Sequence, residues 1–122
     1  MPVWLFVCVL IALTAAPANA LEDMYSGDGG RSCDQFAKQY RVAPRDTEDS
    51  YFSWAEGFMS GRNYALVDLA VQGNKQLIRD LGSIGPDTQK LLIRQYCNEN
   101  PSMLYVAAVL KLFNSLKEME PF

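Results

Sequence analysis

The sequence predicts an all-α domain: a small four- to five-helix orthogonal bundle stapled by one disulfide. Three observations carry this. Apolar residues recur at three- and four-residue spacing. No long run alternates with period two, and β-hairpin dipeptides are missing. Two cysteines, Cys33 and Cys97, lie far apart behind an N-terminal stretch that reads as an export signal. Cysteines of an exported chain meet an oxidising compartment and are usually bridged.

The export reading rests on Pro2 to Ala15, an apolar run too short to span a bilayer comfortably as a helix. Pro17 and the small-x-small pattern Ala18-Asn19-Ala20 follow, which places cleavage before Leu21. The expected organisation is a signal peptide over 1–20, a flexible acidic and glycine-rich lead-in over 21–30, and one helical domain over 31–119. The n-region carries no Lys or Arg, and a retained membrane anchor is the alternative. Cys8 lies inside the signal, outside any lipobox. The expected location is the periplasm, with no membrane attachment after cleavage.

The mature chain is one small domain with a thin stability margin. A bridge closing a loop of about 65 residues adds roughly 4 kcal/mol in the chain-entropy model. The chain has 11 basic and 14 acidic residues, a net charge of −3, and no histidine. No basic patch or run appears, so nucleic acid is not an expected partner. Without histidine the usual general base, metal ligand and near-neutral switch are missing. A response to pH must run through the carboxylates, which titrate near pH 4 when unperturbed. In strong acid the net charge swings from −3 toward the +11 of the basic groups.

Element by element, Ser32 opens the first helix at capping-box spacing from Gln35, with Cys33 in its first turn. Phe36, Ala37 and Tyr40 form its apolar side, and Pro44 stops it. A second helix is expected from Asp46 or Thr47 to about Val67, with Glu48 and Asp49 in the first turn, where the helix dipole favours acids. Tyr51, Trp54 and Phe58 give it an aromatic face. Ser53, Gly57 and Gly61 give it a small face. Two interior glycines each cost about 1 kcal/mol against alanine, so close packing inside the bundle is expected at Gly57 and Gly61. Lys75 to Leu81 is ambiguous, with two helical turns as one reading. A third helix is expected from Pro86 to Cys97, carrying Leu91, Leu92, Ile93 and Tyr96. Asn100-Pro101 reads as N-cap and first position of a last helix reaching about Met119. Its stripe is Met103, Val106, Leu110 and Phe113, widened by Leu112 and Leu116.

Candidate chemistry is sparse. Glu56 lies near Trp54 in sequence, but residues two apart do not share a helix face, so it is expected in solvent. Asp46, Glu48 and Asp49 lack the glycine and spacing of a calcium loop. Serine nucleophiles have no histidine base, and no serine shows S-x-x-K spacing. The glycines at 27–30 have no preceding strand for phosphate binding. Cys33 and Cys97 cannot fill a zinc site alone. No catalytic residue, metal or cofactor is expected, and the chain is not expected to be an enzyme. Arg62-Asn63 is expected to brace a loop; a recognition surface is the alternative.

Three segments together resemble the HdeA/HdeB-like periplasmic proteins. Ser32-Cys33-Asp34-Gln35-Phe36 resembles their opening motif. Tyr51 to Asn63 resembles their central helix, with Trp54, Gly57, Phe58 and Gly61 at matching places. Gln95-Tyr96-Cys97 and Pro101 resemble the second cysteine and the start of the final helix. The resemblance implies a helical domain with one disulfide, a dimer at neutral pH, and an acid-stress chaperone that comes apart in acid and holds unfolding proteins in solution. The surface it implies for clients is Tyr51, Trp54, Phe58, Arg62, Asn63, Leu110 and Phe113. Only Lys111 and Lys117 stand where the best-known members are rich in lysine. The W-x-x-G-F-x-x-G-x-N segment is closer to a branch whose function is largely unknown. The chain is also similar to Tai-type immunity proteins of type VI secretion, which are small, exported, helical and usually richer in cysteine. That resemblance implies a protein that plugs a toxin enzyme.

Overall fold

The computed structural model of the chain describes residues 23–122. The export signal expected over 1–20, with Cys8, lies outside the described residues. Among the described residues four α-helices make the domain: α1 (Cys33–Val42), α2 (Pro44–Val71), α3 (Pro86–Glu99) and α4 (Tyr105–Ser115). Two two-residue strands, β1 (Ile78–Arg79) and β2 (Glu118–Met119), pair antiparallel, with Ile78 opposite Met119. The all-α class is therefore what the chain adopts, with one minimal strand pair added.

α1 starts where its capping box predicts. The Ser32 hydroxyl accepts from the Gln35 backbone N–H, and the Gln35 side chain accepts from the Ser32 N–H. Its next free donors are met from far along the chain. Cys33 N–H donates to the Met103 carbonyl at 2.7 Å, and Asp34 N–H to the Pro101 carbonyl at 3.0 Å. This overturns the expected start of the last helix at Asn100-Pro101. Carbonyls turned outward to cap α1 cannot also open a helix of their own. The segment turns, with Met103 N–H on the Asn100 carbonyl, bridges Ser32 through Leu104, and α4 begins only at Tyr105. Asn100 instead closes α3.

α2 begins at Pro44, not at Asp46 or Thr47. Proline needs no donor at a first helical position, so one residue stops α1 and starts α2. α2 also runs past Val67. It ends on Gly73 at φ +90°, with Asn74 N–H on the Leu69 carbonyl and Gly73 N–H on the Ala70 carbonyl, the pattern of a Schellman motif. The two helical turns considered for Lys75 to Leu81 do not form. That stretch carries β1, whose pairing with β2 also ends α4 at Ser115 instead of Met119.

The core gathers Phe36, Tyr51, Phe52, Ala55, Met59, Ile93, Tyr105, Val109, Leu112, Phe113 and Leu116 around the Cys33–Cys97 bridge. The bridge ties α1 to α3 with a Cα separation of 4.7 Å, and both cysteines are buried. On α4 the expected stripe shifts: Val106, Leu112, Phe113 and Leu116 are buried, but Met103 is exposed and Leu110 only half-buried.

Candidate functional site

The most densely built part of the molecule is the aromatic side of α2 and what covers it. Phe36, Tyr51 and Tyr105 meet as a triangle of rings, with centroids 4.9, 5.2 and 4.8 Å apart. Trp54 stacks on Phe58 at 5.1 Å and meets Tyr105 edge-on at 6.5 Å. These rings lie on one face because 51, 54 and 58 recur at helical spacing. A short latch closes over them. Gly27–Gly30 forms a 3-10 turn, and Gly29 is buried under the indole of Trp54. Trp54 Nε1 donates to the Ser26 carbonyl at 2.9 Å. Ser50 Oγ donates to Asp28 Oδ2 at 2.8 Å, and Arg31 pairs with Asp28 at 3.4 Å. Tyr25 meets Phe58 edge-on at 6.0 Å. The lead-in expected to be flexible over 21–30 is thus seated from Tyr25 to Gly30, because the indole and the Asp28 carboxylate give it partners.

A seam of charge joins the start of α2 to α3. Glu48 pairs with Arg94, and Asp49 pairs with Lys90 at 3.3 Å. Each cation also lies over a ring: Arg94 over Tyr40 at 5.5 Å and Lys90 over Phe52 at 5.3 Å. The acids expected to serve the dipole of α2 therefore also hold it to its neighbour. Burial raises the pKa of Tyr105 far above the ordinary value, with the nearby Glu48, Asp28 and Tyr51 adding to it. Tyr51 is raised for the same first reason, with Arg31 opposing and Asp28 adding.

The residues singled out from the sequence take different places in the fold. Tyr51 and Phe113 are core residues, 1 % and 2 % exposed, and not a client surface of the folded form. Trp54 and Phe58 are half-buried beneath the latch. Arg62 is exposed and lies over the Phe113 ring at 5.2 Å. Asn63 braces, and its amide clamps both backbone groups of Arg79, at 2.8 and 2.9 Å. The Arg79 guanidinium in turn caps α4 through the Asn114 and Leu116 carbonyls and pairs with Glu118. Gly57 and Gly61 reverse the expectation set for them. Both are exposed, and a β-carbon on either would meet nothing within 4 Å. They lie on the side of α2 turned away from the core, so no helix in the described residues packs there.

Two features were not read from the sequence. An apolar groove of about 370 Å³ runs between α3 and α4, walled by Ile84, Leu92, Tyr96 and Leu112. A cleft of about 210 Å³ opens between α2 and the loop before α3. Neither has a local motif, since each is formed by residues that only the chain path brings together. Among the described residues no three His, Cys, Asp or Glu side chains gather as a metal site, and no helix is long and apolar enough to cross a membrane. Comparison with protein-family models, curated proteins and solved structures gives no match.

Proposed function

We propose that the protein is a small exported, non-catalytic chaperone of the periplasm that offers apolar helix faces to unfolding proteins in strong acid. The observation that carries this reading is the chemistry of the ties between elements. The latch is held through Asp28, and α2 is held to α3 through Glu48 and Asp49. Carboxylates are neutral well below pH 4, while Lys and Arg keep their charge. The more exposed pairs, Asp28–Arg31 and Asp49–Lys90, are worth up to about 1 kcal/mol each, and with the half-buried Glu48–Arg94 pair they share the response. Their joint loss, with a net charge moving from −3 toward +11, pushes the elements apart. The Cys33–Cys97 bridge keeps α1 beside α3 while α2 and the latch loosen. Trp54, Phe58, Leu110 and Phe113, with Tyr51 and Met59 behind them, then become the surface offered to clients. The resemblance to HdeA/HdeB-like proteins points the same way.

The test follows secondary structure, hydrodynamic size and hydrophobic-dye binding from pH 7 to pH 2, beside suppression of client aggregation. The proposal expects dye binding and client protection near pH 2–3 and neither at pH 7. A domain that stays folded and dye-negative at pH 2 overturns it.

One observation favours a second reading, an immunity or inhibitor protein. The α3–α4 groove is apolar and open in the folded form, with Glu99 and Lys111 among its lining residues. That reading expects tight binding of one exported enzyme at pH 7, lost in Tyr96→Ala.

A further inference from the structure

The cleft between α2 and the loop before α3 has an apolar body, and its polar side chains are Glu56, Ser60 and Gln89, with no cation among them. Phe52, Met59, Leu81 and Ile84 line it, and Glu56 stands among its lining residues. Its volume of about 210 Å³ exceeds the roughly 150 Å³ apolar cavity that is known to take a benzene ring. Gln89 also lines it and is 4 % exposed. Both protons of the Gln89 amide are spent on the loop, at 2.8 Å to the Leu81 carbonyl and 2.6 Å to the Ile84 carbonyl. Its Oε1 is thereby fixed in place and receives no donor from any described residue. No fully inaccessible side-chain polar atom lacks a partner, so this oxygen retains contact with open space. The cleft is the open space that Gln89 borders. With no protein donor, this accessible acceptor is free to take a donor from a ligand in place of water.

The charge of the cleft has one sign. Glu56 makes no ion pair with a described residue, and no Lys or Arg lines the cleft. The N-terminus of α3 borders it, but Pro86 has no N–H to offer, and Asp87 in the first turn offsets the dipole. We propose that this cleft binds a small primary amine with an apolar body about one ring in size. The ring lies on Phe52, Met59, Leu81 and Ile84. The ammonium donates to Gln89 Oε1 and is drawn by the Glu56 carboxylate. The site goes beyond the acid reading, because it is complete in the folded form at neutral pH.

The experiment titrates 2-phenylethylamine into the oxidised protein at pH 7 and follows backbone and side-chain amide resonances. Phenylacetate, with the same ring and the opposite charge, is the paired probe. Saturable shifts centred on Gly82, Gly85 and the Gln89 side-chain amide are expected. The amine binds about tenfold tighter than the acid. Glu56→Gln lowers amine affinity about threefold, as expected for an exposed charge, without unfolding the protein. Ser60→Leu, a substitution at an exposed helical position on the cleft wall, abolishes the shifts. Equal binding of both probes, shifts centred elsewhere, or no saturable shift at all overturns the proposal. So does a Glu56→Gln variant that retains the full preference for the amine.

Discussion

Gly29 lies so close beneath Trp54 that a β-carbon on it would stand 1.9 Å from the indole Cη2. The indole has little room to retreat. It is stacked on Phe58 with an interplanar angle of 13°, and its N–H is committed to the Ser26 carbonyl. Gly29→Ala must therefore lift the latch or push the ring off its stack. Overpacking of this kind costs about 1–3 kcal/mol. Urea unfolding at pH 7 is expected to show that loss, with tryptophan emission moving to the red. An unchanged midpoint would mean that the latch contributes nothing to the fold.

The two glycines of α2 predict the opposite sign. Gly57 and Gly61 are helical and exposed, with nothing in reach of an added methyl. Their cost is the conformational freedom they surrender on folding. Gly57→Ala and Gly61→Ala are each expected to stabilise the domain by about 0.5–1 kcal/mol in urea unfolding. A loss of stability in either variant would restore the close packing that their spacing suggested.

These glycines show where local sequence stops being informative. The helix ends with local chemistry were legible: the Ser32 capping box, Pro44 as a stop, and Pro86 opening α3. So was the cysteine pair, because the expected export and the parity of the cysteines beyond the expected signal argue for it without geometry. Asn100-Pro101 failed because the Pro101 carbonyl, with that of Met103, answers to α1, far back in the sequence, and no local propensity records that demand. Gly29 gave no sign that Trp54 would sit on it; both were visible, but only the fold joins them. Glu48 and Asp49 were visible as first-turn acids, whereas their partners Arg94 and Lys90 depend on how α3 lies beside α2. The missed cleft has the same cause, since Gln89 reads as an ordinary polar helix residue until the 81–86 loop folds over it.

The bridge predicts how far reduction weakens the fold. Cys33 and Cys97 are 64 positions apart, and both are buried. Opening so long a loop removes roughly 4 kcal/mol in the chain-entropy model. Against a typical total of about 5–15 kcal/mol, the reduced domain is marginal. Thermal unfolding with and without reductant is expected to differ by about 20 °C for a domain of this size. A Cys33→Ala/Cys97→Ala variant is expected to match the reduced protein, which separates the bridge from side reactions of the reductant. Identical melting of oxidised and reduced protein would contradict the stapled fold.

The raised pKa of Tyr105 gives the domain an alkaline limit whose direction follows from proton counting. In the unfolded chain the phenol ionises near pH 10. In the folded domain burial holds it neutral well above that, so above pH 10 the folded state binds more protons than the unfolded one. Stability is then fully present below pH 10 and falls as pH rises, by up to about 1.4 kcal/mol per pH unit for each such group. Tyr51, also raised, adds to the slope. Tyr105→Phe removes one titrating group and retains the ring that packs on Phe36, Tyr51 and Trp54. Its stability at pH 7 is expected to lie within about 1 kcal/mol of the parent, since the Tyr105 hydroxyl donates to no described residue. Between pH 9 and pH 11 the variant is expected to lose distinctly less than the parent in urea unfolding. Parallel losses in the two proteins would show that Tyr105 ionises as readily inside the fold as outside it.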